Sequence, residues 1–132
     1  SLNIIGGSVN VPRGSLDVSG FFSFTNCTAS FGGGIYSYGQ LSVADGSSLS
    51  FTNCSAEFDG GGIFSGGQVS ISTGSNLDFT DCSAKRFGGG LYSYGQVTVA
   101  VKSILTFTNS SASSGGGIYS YGQVNIADGS NL

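Results

Sequence analysis

The sequence contains no histidine, tryptophan or methionine, a single proline, and only 8% charged residues among its 132. The net charge is −3 and no basic run is present, so nucleic acid is a poor candidate partner. No apolar run approaches the ~20 residues that a transmembrane helix needs. The first fourteen residues lack a charged start followed by an apolar core, so we expect no signal peptide in this stretch.

Only three cysteines are present, Cys27, Cys54 and Cys82, and they occupy one position of a repeat. An odd number at this spacing does not form a disulfide framework. Metal binding would need CxxC pairs or histidine partners, and the sequence has neither. Because a buried free cysteine behaves as a small hydrophobe, and Ser110 replaces it in the last copy, we predict that the cysteines are inert packing residues.

The most abundant features are glycine, with 24 residues, and a four-fold repeated word. The word is FTNC at 24–27 and 51–54, FTDC at 79–82, and FTNS at 107–110. Three glycines and an aliphatic residue follow each copy, at an almost constant distance from its phenylalanine. The glycines keep the long period of the word and not a period of three, which excludes collagen. A fixed period of this length is typical of a solenoid.

Each repeat holds three short alternating runs, which in the clearest copy are residues 49–52, 63–66 and 68–71. Glycine, asparagine, aspartate and serine bound these runs, as they bound strands, and no segment shows the period or caps of a helix. Propeller blades need four strands in ~40 residues, and leucine-rich repeats need a leucine frame that is absent. We therefore predict an all-β, right-handed parallel β-helix with three strands per coil of about 28 residues and about 4.5 coils.

The repeats divide the chain into a degraded first coil at 1–21 and regular β-helix repeats at 22–132. Residues 4–11 align with 63–71 with one residue missing, and residues 17–21 are interpreted as an insertion. Because a solenoid needs polar caps and neither end resembles one, we expect the chain to be part of a longer array.

Alternation along the strands assigns four ladders of side chains to the interior. They are Leu49, Leu77 and Leu105; Phe24, Phe51, Phe79 and Phe107; Ile35, Ile63, Leu91 and Ile118; and Val43, Ile71, Val99 and Ile126. Each side chain contributes ~1.5–3 kcal/mol when buried. The glycine triplets are expected to stack at a corner that requires a positive φ or a close backbone approach.

The third residue of the repeated word, Asn26, Asn53, Asp81 or Asn109, ends a strand at a corner. Asparagine tolerates the left-handed conformation there, and stacked amides hydrogen-bond along a ladder. The sequences NCT, NCS and NSS are also formal glycosylation sites. We expect these asparagines to point inward, where they cannot carry a glycan. We therefore expect their role to be structural.

Outward positions form two candidate binding surfaces. The aromatic surface, a candidate site for a protein or sugar partner, consists of Tyr36, Tyr38, Phe64, Tyr92, Tyr94, Tyr119 and Tyr121. Such rings also stabilise a sheet by cross-strand pairing, so a purely structural role is the simpler interpretation. The alternative surface, which resembles an ice-binding array, consists of Thr25, Thr52, Thr80, Thr106 and Thr108. Asp78 interrupts this array.

The acidic residues do not suggest catalysis. Asp59 and Glu57 lie close in sequence, but the lysines and arginines are expected at other repeat positions, whereas β-helical polysaccharide enzymes cluster acids with basic residues. Asp45 and Asp128 give one carboxylate per corner, too few for calcium. No GK[ST] follows the glycine triplets, so they are not a phosphate-binding loop. We predict no catalytic, metal-binding or cofactor-binding residue.

The combination of F-x-x-N with G-G-x-[I/L], repeated once per coil across 22–132, resembles the polymorphic outer membrane protein repeats of chlamydiae. The third glycine of each triplet and Asp81 depart from that pattern. The resemblance implies a surface-exposed β-helical stalk or passenger with adhesive roles.

We therefore expect a non-enzymatic scaffold or interaction segment of a cell-surface or extracellular protein, with protein chains or glycans as partners. One alternative is carbohydrate or ice binding along an outward ladder. Another is an accessory subunit that assembles end to end or side on with other chains, since open sheet edges accept added strands.

Overall fold

The computed structural model describes residues 2–132, with side chains from Ile4 onward, and in this part of the chain it contains strands and no helix. The strands in chain order are β1 Leu2–Ile5, β2 Val9–Val11, β3 Leu16–Val18, β4 Phe21–Thr25, β5 Thr28–Phe31, β6 Ile35–Ser37, β7 Leu41–Val43, β8 Ser48–Thr52, β9 Ser55–Asp59, β10 Ile63–Ser65, β11 Val69–Ile71, β12 Asn76–Thr80, β13 Ser83–Ala84, β14 Leu91–Ser93, β15 Val97–Val99, β16 Ile104–Thr108, β17 Ile118–Ser120 and β18 Val124–Ile126. No helix among the described residues is long and apolar enough to cross a membrane.

Three five-stranded parallel sheets run along the molecule, and each takes one strand from every coil. Sheet A has the order β1-β4-β8-β12-β16, sheet B has β2-β6-β10-β14-β17, and sheet C has β3-β7-β11-β15-β18. Ile63 pairs with Ile35 of the preceding coil and with Leu91 of the following coil, so equivalent positions stack directly. This confirms the predicted parallel β-solenoid, with three strands in each coil and the period of the repeated word. The right-handed turn stays a prediction.

A fourth, shorter sheet was not foreseen. It has the order β13-β9-β5 and follows the corner at the end of sheet A. Its pairing shifts between Ala29 and Phe31, which marks a β-bulge, and its last coil contributes only isolated bridges at Ser111 and Ser114. We refer to it as sheet D.

The first coil aligns differently from the sequence prediction. Ile4 pairs with Phe24 in sheet A and not with the Ile35 ladder, which begins at Val9. Asp17 and Val18 belong to β3 and pair with strand β7, so residues 17–21 are not an insertion. The prediction was wrong because the first coil lacks most of the corner that holds sheet D in later coils. The shortened corner shifts the spacing between its hydrophobic residues.

The predicted interior ladders are confirmed. Phe51, Phe79, Leu49, Leu77 and Ile63 are fully buried, and the rungs at the ends of the stack are partly buried. The phenylalanine rings stack face to face, with centroids 4.8 to 4.9 Å apart. The rings therefore form one continuous column inside the coil, beside the aliphatic side chains of sheets B and C.

Buried serine hydroxyls complete the interior. Ser65 and Ser93 are fully buried on sheet B, and each hydroxyl donates to glycine carbonyls of its own and the preceding coil, at 2.9 to 3.2 Å. At the next corner, Ser75 and Ser103 donate to backbone carbonyls of the preceding coil at 2.9 and 2.8 Å. These small polar residues satisfy backbone oxygens where the chain turns, as buried polar groups require.

Both predicted reasons for the glycine triplets are present. Gly60 has φ of 72°, in the left-handed region. A Cβ on Gly61 would collide with the carbonyl oxygen of Gly89 in the next coil, and a Cβ on Gly62 would lie 2.6 Å from the ring of Phe79. The first glycine thus provides the turn, and the next two provide room for the neighbouring coil and the phenylalanine column.

Candidate interaction face

A column of aromatic rings runs along the outer face of sheet B. Tyr36, Phe64, Tyr92 and Tyr119 pair in register, and successive ring centroids are 5.0, 4.8 and 5.8 Å apart. All three stacked pairs are within 9° of parallel. The predicted ladder therefore exists. Its rings are half-buried, except that of Tyr92, which is only 6% exposed.

A second set of rings projects further into solvent. Tyr38, Tyr94 and Tyr121 directly follow the sheet B strands and are 63%, 62% and 61% exposed. Tyr121 packs edge-on against Tyr119 at 5.5 Å. All six tyrosines of the chain thus lie on one side of the solenoid. We call the seven predicted aromatic residues and their neighbours on this side the aromatic face.

Three phenylalanines that the sequence prediction missed widen the aromatic face. Phe31 lies 5.2 Å from both Phe58 and Phe64, and Phe87 lies 4.5 Å from Tyr119. They occupy positions one or two residues before the glycine triplets, so they do not share a single repeat position. An aromatic residue within two positions of three of the four triplets was the signal that would have found them.

An ion pair lies at the border of the aromatic face and sheet D. The Arg86 guanidinium donates to both carboxylate oxygens of Asp59, from Nε at 3.2 Å and from Nη2 at 2.7 Å. The guanidinium carbon is 5.1 Å from the Phe58 ring centroid, within cation–π range. Asp59 is 4% exposed, so Arg86 neutralises a buried charge, and this contact raises the pKa of Arg86 above its ordinary value.

Arg86 and Asp59 are therefore in contact although they occupy different repeat positions, a proximity that repeat positions alone did not predict. Lys85 also lies beside Glu57, on a shallow depression of about 750 Å³ over sheet D. The depression is otherwise lined by serine, threonine and alanine. No group of three or more His, Cys, Asp or Glu residues able to hold a metal occurs in the described part of the chain.

Burial changes the acidity of the tyrosines. Desolvation raises the pKa of Tyr92 to about 12, since the neutral phenol is favoured beneath its neighbours. Desolvation, together with a hydrogen bond to Tyr121, also raises the pKa of Tyr119. Tyr92 and Tyr119 therefore present neutral phenol groups at physiological pH.

The column of rings exposed beside sheet B has one missing rung. Gly66 occupies the position at which the other coils have Tyr38, Tyr94 and Tyr121. The gap is a notch of about 330 Å³, lined by Tyr36, Tyr38, Phe64, Gly66 and Tyr94. Its lining is therefore aromatic except for a glycine, and it contains no charged side chain.

The threonine array is on sheet A. Thr25, Thr52, Thr80 and Thr108 pair in register, and all are partly or fully exposed. Thr106 lies in the adjacent row, where Asp78 takes the place of a hydroxyl residue. The predicted strip therefore has the expected geometry, together with the expected interruption.

The corner asparagines differ from the prediction in one respect. Asn26, Asn53, Asp81 and Asn109 have φ of 54 to 55°, so the left-handed conformation is confirmed. The side-chain amide Nδ2 of Asn53 donates to the side-chain oxygen Oδ1 of Asn26 at 2.8 Å. The side chains are exposed and not inward, because the left-handed residue turns its Cβ away from the core. The objection to glycosylation that we based on inward asparagines therefore does not hold.

The cysteines are placed as predicted. Cys27, Cys54 and Cys82 are free and fully buried, and they pack in the same hydrophobic core as the phenylalanine column. Burial raises the pKa of the Cys27 thiol, so its neutral form is favoured. At the equivalent position, the Ser110 hydroxyl is buried without a hydrogen-bond partner.

Comparison with known proteins finds no matching family model, curated protein or solved structure.

Proposed function

We propose that the chain is a non-enzymatic interaction segment that binds another protein through its aromatic face. The observation that carries the proposal is the collection of all six tyrosines on one side of the solenoid, three of them more than 60% exposed. Exposed, contiguous aromatic surface is uncommon on isolated proteins and is typical of binding sites. Tyrosine is also enriched in protein interfaces, because it buries a large ring and keeps a hydroxyl for hydrogen bonding.

The rigidity of the face supports the same proposal. The inner rings are stacked on neighbouring strands, and Tyr121 of the outer set packs edge-on against Tyr119. A surface that is already ordered loses little conformational entropy on binding. The resemblance of the repeats to chlamydial surface proteins favours an adhesive role at a cell surface or outside the cell, and we include that location in the proposal.

Selection of peptides from a display library tests this function without a known partner. The bait is the parent chain, and the competitor is a triple variant in which Tyr38, Tyr94 and Tyr121 are serine. A matched control replaces exposed Thr52 and Thr108 with alanine on the threonine strip. We expect selected peptides to bind the parent and the threonine control equally, and to bind the triple variant at least about tenfold more weakly. Equal binding to all three chains would refute the proposal.

A second candidate is ice or carbohydrate binding. The in-register threonines of sheet A favour ice, since a flat ladder places hydroxyl groups at the regular ~4.8 Å strand spacing. Inhibition of ice recrystallisation at micromolar concentration, abolished in the Thr52 and Thr108 alanine variant, would support it, and a blank assay removes it. If the triple tyrosine variant still binds the glycans that the parent binds on an array, the aromatic face is not the sugar-binding site.

A third candidate is an accessory subunit in a larger assembly. This candidate uses the same aromatic face as the interaction segment proposed above. The two differ only in whether the contact with the partner is permanent or transient. The sedimentation velocity of the chain mixed with its selected partner distinguishes a stable complex from a transient one.

A further inference from the structure

We infer that the notch at Gly66 is a binding site for one uncharged aromatic side chain of a partner protein. The inference rests on the proposed function and identifies the part of the aromatic face that provides specificity. The ring would enter edge first and lie between Tyr38 and Tyr94, above Phe64, in the position of the missing rung.

The width of the notch matches one ring. Tyr38 and Tyr94 belong to coils that are two strand spacings apart, or about 9–10 Å. In the same exposed row, the adjacent tyrosines Tyr94 and Tyr121 have ring centroids 5.2 Å apart, with the rings tilted by 47°. A ring midway between Tyr38 and Tyr94 therefore contacts both at the spacing that this row already uses. A second ring would not fit, and a thinner aliphatic chain would leave one wall without contact.

The backbone holds the notch open. Gly66 donates its N–H to the carbonyl oxygen of Ser37 at 2.8 Å, as Tyr94 donates to Ser65 at 2.9 Å. The ladder is therefore continuous through the gap. A Cβ on Gly66 would collide with the carbonyl oxygen of Tyr38, so the backbone here is too close to its neighbour for any side chain. The rung is therefore empty for two reasons: residue 66 is a glycine, and the backbone there leaves no room for a Cβ.

The chemistry of the walls favours an aromatic occupant over a sugar. The notch is lined by four aromatic rings and a glycine, with no charged side chain. Sugars need several hydrogen-bond partners around the ring to replace bound water, whereas an aromatic ring needs only flat contact on both faces. An anionic ligand would lose its hydration without gaining a counter-charge.

The test uses N-acetyl-tyrosinamide as the probe, followed by ¹H–¹⁵N NMR with the amide of Gly66 as reporter. We expect saturable shifts at Gly66 and Phe64 at millimolar probe concentrations. Methyl β-glucopyranoside is the comparison probe and should give no shift there. Shifts with the glucoside and none with the tyrosine amide would overturn the inference, as would the absence of shifts with both.

Variants of the walls locate the site. Tyr38→Ala and Tyr94→Ala each remove one aromatic wall of the notch. Each should lower the affinity for the probe about three- to tenfold, the contribution of one aromatic pair. Phe21→Ala is the control, because Phe21 has a similar exposure, 60%, but lies on sheet A and does not line the notch. All three are exposed, so their melting temperatures should match the parent. Equal weakening by all three variants would refute the site.

The two proposals fail separately. If peptide binding depends on the tyrosines but the probe ignores the notch, the aromatic face functions and the inference about Gly66 is wrong. If the probe occupies the notch but no peptide depends on the tyrosines, the notch is real and the wider interaction function is wrong.

Discussion

Substitution of alanine for Gly62 is expected to destabilise the solenoid by overpacking. The new Cβ would lie 2.6 Å from Cδ1 of Phe79 and 2.9 Å from the carbonyl oxygen of Gly90. Neither can retreat freely, since Phe79 is fully buried and stacked at 4.9 and 4.8 Å on the rings above and below. Overpacking of a core costs about 1–3 kcal/mol, and we expect the upper end, about 3 kcal/mol.

Gly46→Ala is the matched control, because it isolates backbone strain. Gly46 has φ of 67°, and a Cβ there would have nothing within 4 Å. Alanine in the left-handed region costs about 1 kcal/mol. The chain itself shows that a side chain is tolerated at this corner, since Lys102 occupies the equivalent position with φ of 61°. Gly62→Ala should therefore cost about 2 kcal/mol more than Gly46→Ala.

Urea unfolding followed by far-ultraviolet circular dichroism measures the difference. For a chain of this size, about 3 kcal/mol corresponds to a fall in melting temperature of roughly 10–15 °C. The urea dependence of the free energy should stay constant, so that the midpoints can be compared. The reasoning fails if Gly62→Ala costs no more than Gly46→Ala, because the close approach of the Phe79 ring would then not be what requires glycine at position 62.

The buried and charged groups give three further predictions. Ile63→Asp places a carboxylate in the core and should abolish cooperative thermal unfolding, whereas outward Ser70→Asp should melt like the parent. The raised pKa of Tyr92, about 12 against about 10 unfolded, stabilises the folded state below pH 10, and this stability is lost between pH 10 and 12. In Tyr92→Phe, the free energy of unfolding should fall by about 2 kcal/mol less between pH 10 and 12 than in the parent, as measured by urea unfolding at each pH. Arg86→Ala leaves Asp59 buried without a cation and should lower the free energy of unfolding, part of which Asp59→Asn restores in a double-variant cycle.

The period of the sequence was enough to predict the fold and the interior. Alternating residues at a constant spacing place Ile63, Phe79 and their equivalents inside, because stacking one coil on the next repeats every side-chain direction. The first coil could not be aligned in this way. Its corner between Ile5 and Val9 is short, and hydrophobic spacing alone does not reveal how many corner residues are absent.

The candidate site was predicted in part. The tyrosine positions followed from alternation, and Gly66 was visible as a break in the repeat. The ion pair of Asp59 and Arg86 was not predictable, because it joins different positions of neighbouring coils across a bulged sheet. The outward direction of Asn53 was also missed, since the left-handed conformation reverses the side-chain direction that simple alternation gives.

The Asp59–Arg86 pair helps to determine which coil stacks on which. Because the ladders repeat nearly the same residues, a coil that stacked on the wrong neighbour would still match most of its hydrophobic contacts. Asp59 is different, since Phe31 and Phe87 occupy its position in the adjacent coils. Any shifted stacking would bury this carboxylate without its arginine, which is strongly unfavourable. The repeated ladders stabilise the stacking of one coil on another. The Asp59–Arg86 pair, which occurs only once in the described part of the chain, favours the native stacking order over shifted ones.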